Sequence, residues 1–171
     1  MKRTRANTVY VKRVRAGGAV DSRTIKRRAL KILELLELRS AELSIVLCDD
    51  SFIRALNRDY RDLDTPTDVL SFQQDGTVGN DAASTVLGDV VISLETAARV
   101  AHERRCGLVD EATALLVHGI LHLLGYNHET RRSSDEMLAQ AVWLEKAVKK
   151  QKSLLTGPNN SFKKAPLSPP K

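Results

Sequence analysis

Residues 117–128 read VHGILHLLGYNH and contain three of the four histidines of this 171-residue chain. His118 and His122 are four residues apart, so in a helix they lie one turn apart on the same face. The segment that begins at Asp110 opens with acidic residues and continues with good helix formers, which predicts that helix. Gly125 is predicted to end the helix in a left-handed conformation, and the turn that follows can bring His128 to the same point.

Three neutral imidazoles that converge in this way suit a divalent ion such as zinc. Three protein ligands leave one tetrahedral position open for water, which is the arrangement of a catalytic site. The alternative is a set of buried, hydrogen-bonded core histidines, but three imidazoles in a Leu-rich helix would be costly to bury without a partner. We therefore predict one zinc ion bound by His118, His122 and His128. Zinc peptidases of the His-Glu-x-x-His type use the glutamate as general base, and Gly119 stands at that position.

The bulk composition favours a single domain that is long enough to bury a core. Cys48 and Cys106 are far apart in sequence and match no zinc motif, so we expect free thiols in a reducing compartment. The basic start of the chain is not followed by an apolar segment, and the longest apolar run is too short to cross a bilayer. These features predict a cytoplasmic protein.

Charge is distributed unevenly along the chain. Residues 1–31 hold eleven Lys or Arg and one acid. Residues 32–95 hold four Lys or Arg and thirteen acids, and residues 96–171 hold twelve Lys or Arg and seven acids. The basic N-terminal region and the basic last third could form a surface for RNA phosphates. On charge alone, a solvated charged face fits equally well. The low aromatic content of 4% argues against a sheet on which successive bases stack.

Alternating or β-branched apolar residues predict four strands, at 8–15, 43–47, 69–72 and 87–93. The first three strands are connected through helices, which favours parallel neighbours, and a loop from Gln73 to Thr85 connects the last two, which favours an antiparallel pair.

Polar residues before amphipathic segments predict the helix starts. The first of these helices is predicted to turn one apolar face inward, formed by Ile25, Ala29, Ile32, Leu33 and Leu36. The proposed caps are Asp21 or Ser22, Asp49 or Asp50, Ser93, and a capping box at 133–136 for the last helix.

The predicted fold class is α/β (α+β). Residues 1–150 form a single domain with a mixed four-stranded sheet, three strands parallel and one antiparallel, covered by about five helices. Residues 151–171 contain four of the five prolines together with Asn, Ser and Lys, so they are predicted to form a disordered basic tail.

Three segments of this chain resemble the YbeY family. HGILHLLGYNH at 118–128 is similar to the family's His-Gly-x-Leu-His-Leu-x-Gly-Tyr-Asp-His signature, and two further blocks match in the right order: Tyr60–Arg61 with PTDVLSF at 66–72, and LGDVVI at 87–92. The resemblance spans about residues 43–145. Two positions depart from the family pattern, because Asn127 replaces an Asp and Gln73 replaces a Pro. Asn127 removes a carboxylate that could orient an imidazole.

The resemblance implies a single-strand-specific, zinc-dependent endoribonuclease that processes the 3′ end of small-subunit rRNA and takes part in ribosome quality control. The implied partners are single-stranded RNA, rRNA and the small ribosomal subunit with its proteins, without DNA or a membrane. The resemblance also implies that the three histidines bind the metal and that Arg61 is required. A guanidinium cannot act as a base, but it suits bidentate phosphate binding. Without the resemblance, Arg61 would be interpreted as a charge at a helix end.

Several alternatives stay open at this point. The attacking nucleophile could come from water at the metal, from the RNA 2′-hydroxyl or from another group. The same three histidines could serve a metal-dependent peptidase or other hydrolase, or a non-catalytic ribosome assembly factor with structural zinc. Asp68 and Asp89 adjoin apolar strands and could hydrogen-bond a turn or a ligand histidine, with the structural role favoured. His102 is expected on the surface, and Ser71 has no nearby base that would mark it as a nucleophile.

Overall fold

A computed structural model describes residues 6–74, 85–127 and 130–150. The elements follow in this order: β1 (Thr8–Val14), α1 (Ser22–Leu35), β2 (Ala41–Cys48), α2 (Asp50–Arg61), β3 (Val69–Gln73), β4 (Thr85–Ser93), α3 (Leu94–Glu103), α4 (Leu108–Leu123) and α5 (Arg131–Lys150). The predicted tail at 151–171 and most of the predicted loop after Gln73 lie outside the described residues.

The four strands form one sheet in the order β1-β2-β4-β3. β1, β2 and β4 are parallel, and β3 is antiparallel to β4 at the edge. The predicted sheet of three parallel strands and one antiparallel strand is confirmed. The third parallel strand, however, is β4 and not β3. The pattern of burial explains this order, because β4 is buried continuously from Val90 to Ser93, as a central strand must be, whereas β3 buries only Leu70.

Helices cover both faces of the sheet. The larger core joins β2 and β4 to α1, α4 and α5 on one face. On the other face, Ile53 of α2 packs with Cys48, Leu70 and Val91. The predicted inward face of α1 is confirmed, since these residues are buried: Ile25, Ala29, Ile32, Leu33 and Leu36.

Helix starts follow the predicted caps with one exception. The side chains of Asp21, Asp49 and Ser93 each accept a hydrogen bond from a backbone N–H in the first turn of their helices. The capping box predicted at 133–136 is wrong, because α5 already begins at Arg131. Thr130 and Ser133 form the reciprocal pair instead: each side-chain oxygen accepts from the backbone N–H of the other at 3.1 Å.

The two thiols are free, with Cys48 buried and Cys106 exposed. Within the described ranges, no single helix is long and apolar enough to cross a membrane, and the pair α3 and α4 meets that test only jointly, with a bend of 114° between them.

Candidate metal centre

The histidine pair lies in the last two turns of α4. As the spacing predicts, His118 and His122 share one face, with their ring centroids 4.5 Å apart and their planes at 77°. The Nε2 atoms of the two rings are 3.0 Å apart. Both side chains are half-buried, so the pair is anchored in the core and still reaches solvent.

The turn that ends α4 fixes the orientation of His122. Gly125 has φ +90, in the left-handed region, as predicted. Its N–H donates to the carbonyl of His122 at 3.0 Å, and the N–H of Tyr126 donates to Leu121 at 3.1 Å, which together make a Schellman motif. This turn brings the carbonyl of Tyr126 to 2.9 Å from His122 Nδ1. Because a carbonyl oxygen can only accept, Nδ1 carries the proton and the Nε2 of a neutral ring keeps its lone pair.

The donor set at this point fits a zinc ion. Two imidazole nitrogens at 3.0 Å must share either a proton or a cation, since two lone pairs facing one another repel. Two imidazole ligands of a tetrahedral zinc ion lie roughly 3.3 Å apart, given bonds of about 2.0–2.1 Å. Across residues 6–74, 85–127 and 130–150, no group of three His, Cys, Asp or Glu side chains converges. The third predicted ligand, His128, lies outside the described residues, so its role stays a prediction.

A cleft of about 700 Å³ opens at the histidines. It lies at the edge of the sheet, where β3 runs between the C-terminal ends of α2 and α4. The residues that line it are Asn57, Arg61, Leu63, Thr67, Asp68, Val69, Leu70, Ser71, Gln73, His118, His122 and Leu123. The cleft therefore combines the second family-like block with the histidine motif.

Arg61 is the last residue of α2 and lines this cleft. The two preceding arginines of α2 form ion pairs, Arg54 with Asp64 and Arg58 with Asp59. By contrast, the side chain of Arg61 makes no hydrogen bond or ion pair with any described residue. No side chain of the described residues therefore pairs with its guanidinium, which lines the same cleft as the histidines.

Gly119 faces the sheet rather than the cleft. A Cβ atom at this position would lie 2.6 Å from Val90 Cγ1 and 3.1 Å from Ser71 Oγ. The position of the peptidase glutamate therefore has no room for a side chain. This observation weighs against the peptidase alternative, because its general base could not be accommodated here.

The other residues considered from the sequence, Asp68, Asp89 and His102, have contacts or positions that indicate a structural role. Asp68 lines the cleft, and its Oδ1 accepts from the N–H of Val69 at 2.8 Å and from the hydroxyl of Thr67 at 3.3 Å. Asp89 pairs across the sheet with Phe72, whose ring packs toward α2, so Asp89 lies on the face away from the histidines. His102 is exposed, as predicted.

Among the polar residues of the cleft that were not predicted as site residues, Asn57 and Ser71 hold its walls together. Asn57 is buried, and its Nδ2 donates to the carbonyl of Thr65 at 2.9 Å, which holds the segment between α2 and β3. The sequence signal that could have identified Asn57 is its position one turn after Ile53, on the apolar face of α2. Ser71 donates from its hydroxyl to the carbonyl of Gly119 at 3.2 Å and so connects β3 to α4.

The chain is similar in sequence and fold to several known proteins. A family model described as endoribonuclease YbeY matches residues 14–148. A protein named Endoribonuclease YbeY from Sulfurihydrogenibium sp. is 41% identical over 136 residues, covering 80% of this chain and 88% of that protein. One of the same name from Treponema denticola is 40% identical over 123 residues, covering 71% and 79%. The solution structure of TM1509 from Thermotoga maritima is similar in fold, with a TM-score of 0.61 at 23% identity over 85% of this chain and 91% of that one.

Proposed function

The chain belongs to the endoribonuclease YbeY family, and from this premise we propose that it is a zinc-dependent endoribonuclease that cleaves single-stranded RNA. Its proposed role is rRNA maturation, at the 3′ end of small-subunit rRNA and in ribosome quality control, with the small subunit and its proteins as partners. One observation carries the proposal: two imidazole Nε2 atoms lie 3.0 Å apart in a cleft that Arg61 also lines.

His118 and His122 would hold the zinc ion, with His128 as the proposed third ligand. When bound, zinc polarises a phosphoryl oxygen and lowers the pKa of water. Imidazole nitrogens favour zinc over magnesium, which prefers oxygen ligands. The hydrogen bond from His122 Nδ1 to the carbonyl of Tyr126 supports this role, because it keeps the ring in one tautomer and one orientation.

Arg61 would bind the phosphate and stabilise the negative charge that develops on it during cleavage. Its guanidinium keeps its charge at any physiological pH and presents paired N–H donors to phosphate oxygens. The lack of an ion pair with any described residue supports this role. The volume of the cleft is that of a site for a small ligand, so nucleotides of a single strand would enter it more readily than a duplex.

The test compares zinc content and RNA cleavage between the wild type and His118→Ala. His102→Ala is the matched control, because His102 is exposed and does not line the cleft. We expect one zinc ion per wild-type chain and cleavage of single-stranded RNA, with both lost in His118→Ala and both kept in His102→Ala. Duplex RNA and denatured protein are the comparison substrates.

Three outcomes would contradict the proposal. Cleavage that persists in His118→Ala would come from a contaminating nuclease. Zinc binding without RNA cleavage in the wild type would favour an assembly factor. Cleavage of denatured protein in preference to RNA would favour a peptidase.

A further inference from the structure

Two exposed apolar side chains lie within two residues of Arg61 in the chain. Tyr60 is 66% exposed and Leu63 is 57% exposed. Among the described residues, the strongly exposed aromatic rings are Tyr60 and Tyr10, and Tyr10 lies on β1, at the opposite edge of the sheet. Single exposed apolar residues are ordinary. Their position makes these two side chains notable. Leu63 and Arg61 both line the cleft that holds the histidines, and Tyr60 directly precedes Arg61.

Tyr60 is held in place by the sheet edge. Its ring packs edge-to-face against Phe72, with centroids 5.0 Å apart and planes at 65°. Phe72 lies on β3 between Ser71 and Gln73, which both line the cleft. Because alternate residues of a strand face opposite sides of the sheet, the Phe72 ring and Tyr60 lie on the α2 side of this edge strand. Tyr60 therefore sits on a fixed support one residue before Arg61, and it is 66% exposed.

The turn after α2 places Leu63 at the cleft that Arg61 also lines. Asp62 has φ 58, in the left-handed region, and ends the helix. The N–H of Leu63 donates to the carbonyl of Asn57 at 3.3 Å, which folds the chain back against α2. The ring, the guanidinium and the leucine side chain thus come from four consecutive residues whose backbone is fixed by hydrogen bonds.

We propose that Tyr60 forms a nucleobase subsite at this sheet edge, in which an unpaired base stacks on the Tyr60 ring while Arg61 binds a neighbouring phosphate in the cleft, where Leu63 adds apolar surface. This inference rests on the proposed function and adds a contact with the base to it. An aromatic ring next to an arginine is a combination that binds single-stranded nucleic acid, since every base has a face that can stack. A paired base cannot leave its helix to stack without cost, so the subsite would favour single strands.

The experiment uses short single-stranded RNAs that carry 2-aminopurine at successive positions, mixed with the zinc-loaded protein in a stopped-flow instrument. Fluorescence is read before cleavage occurs, and steady-state cleavage is measured separately. Tyr60→Leu keeps an apolar contact with Phe72 but removes the ring, and Tyr60→Phe keeps the ring. Tyr10→Leu is the matched control, because Tyr10 is similarly exposed, at 58%.

For the wild type, we expect quenching of 2-aminopurine at one or two positions of the RNA. Tyr60→Leu should lose this quenching and weaken RNA binding by about 5- to 150-fold, which is the range measured for base–aromatic stacking. This loss should raise KM and leave kcat nearly unchanged. Tyr60→Phe and Tyr10→Leu should behave like the wild type, and thermal melting checks that every variant is folded.

The subsite and the proposed function fail in different ways. If Tyr60→Leu binds and quenches like the wild type while RNA is still cleaved, the subsite is overturned and the exposed pair is a surface for a protein. If Tyr10→Leu weakens binding as much as Tyr60→Leu, the effect is nonspecific and the subsite is also overturned. If quenching depends on Tyr60 but RNA is never cleaved, the subsite stands as an RNA-binding site and the endoribonuclease proposal fails.

Discussion

At the scale of single residues, Gly119 sets how closely α4 approaches the sheet. The carbonyl of Gly119 accepts from Ser71 on β3, and its missing side chain leaves space that Val90 of β4 fills. Val90 is β-branched and fully buried, so it cannot move aside easily. The close approach holds the histidines of α4 next to the edge strand that forms the cleft.

Gly119→Ala tests this close approach. The added Cβ would lie 2.6 Å from Val90 Cγ1, and overpacking of this kind costs about 1–3 kcal/mol, partly offset by the better helix propensity of Ala. We expect a lower free energy of unfolding in urea titrations. The double variant Gly119→Ala with Val90→Ala should lose less stability than the two single variants combined. Full additivity would show that the two positions do not compete for space.

Arg61 is the second residue whose role can be separated from structure. Arg61→Ala should keep the zinc and the melting temperature of the wild type, because the Arg61 side chain is exposed and forms no hydrogen bond or ion pair with the described residues. It should lower kcat for RNA cleavage by roughly 100-fold or more, as loss of a group that stabilises transition-state charge does. Arg58→Ala, one turn earlier on α2 and paired with Asp59, is the control that should retain activity. An unchanged kcat in Arg61→Ala would remove this residue from the site.

At the scale of secondary-structure elements, the end of α4 connects helix termination to metal binding. Gly125 at φ +90 makes the Schellman turn, and the turn aims the Tyr126 carbonyl at His122. Apart from its chain neighbours, no heavy atom of the described residues lies within 4 Å of a Cβ built on Gly125. Its requirement for glycine is thus conformational, whereas that of Gly119 is steric.

Gly125→Ala should destabilise the protein by about 1–2 kcal/mol, the cost of a left-handed conformation for an ordinary residue. Displacement of the Tyr126 carbonyl should also weaken zinc binding by roughly 10- to 100-fold, as loss of a hydrogen bond to a ligand histidine does. Gly125→Asn should cost less on both measures, because Asn tolerates this conformation better. Thermal melting and competition with a zinc chelator measure the two effects. Equal behaviour of the Ala and Asn variants would contradict the conformational explanation.

Asp50 connects α2 to α3. Its carboxylate accepts hydrogen bonds from Ser93 at 2.5 Å, from Thr96 at 2.7 Å and from Arg99 at 2.7 Å. Burial alone would raise the pKa of Asp50, but these hydrogen bonds outweigh burial and hold the pKa below its usual value of 3.8. The folded state therefore binds the proton more weakly than the unfolded state does.

The sign of this shift predicts an acid-sensitive connection. The stabilisation is fully present above the pKa of the unfolded group, about 3.9, and is lost as the pH falls through the lower pKa of the folded state. Asp50→Asn should lower the melting temperature at pH 7 and reduce the further decrease of the melting temperature on acidification below about pH 4. Thr96→Val removes one donor and should show part of the same change. A melting temperature of Asp50→Asn that follows the wild-type pH profile would contradict this role.

At the scale of the whole molecule, α5 completes the core. Met137, Leu144 and Val148 of this helix are buried with residues of α1 and α4. Val148 is also where the family match ends. The described chain thus makes its last core contact just before the segment that the composition sets apart as a tail.

Deletion of residues 152–171 should change the melting temperature by less than about 2 °C, which corresponds to well under 1 kcal/mol for a domain of this size. Deletion of residues 148–171 is the control, because it also removes the buried Val148 and should lower the melting temperature clearly. A large drop in the shorter deletion would show that the segment after 151 packs against the domain.

The sequence by itself determined the features that depend on local periodicity. The spacing of His118 and His122, the left-handed end at Gly125 and the caps at Asp21, Asp49 and Ser93 follow from the geometry of a helix and its termini. The apolar face of α1 follows from the same geometry, and each of these expectations is confirmed. The capping box predicted at 133–136 was wrong because two overlapping polar pairs are present, Thr130 with Ser133 and Ser133 with Glu136. Only the position at which α5 starts determines that the first pair caps the helix.

Only the tertiary structure decided which distant segments meet. It inserted β4 between β2 and β3, which left β3 as the edge strand and created the cleft. It brought Arg61 beside His118, which lies 57 residues later in the chain, and it turned Gly119 into a contact with the sheet. Local patterns cannot specify such neighbours, because the choice among possible strand orders depends on how much apolar surface each arrangement buries over the whole domain.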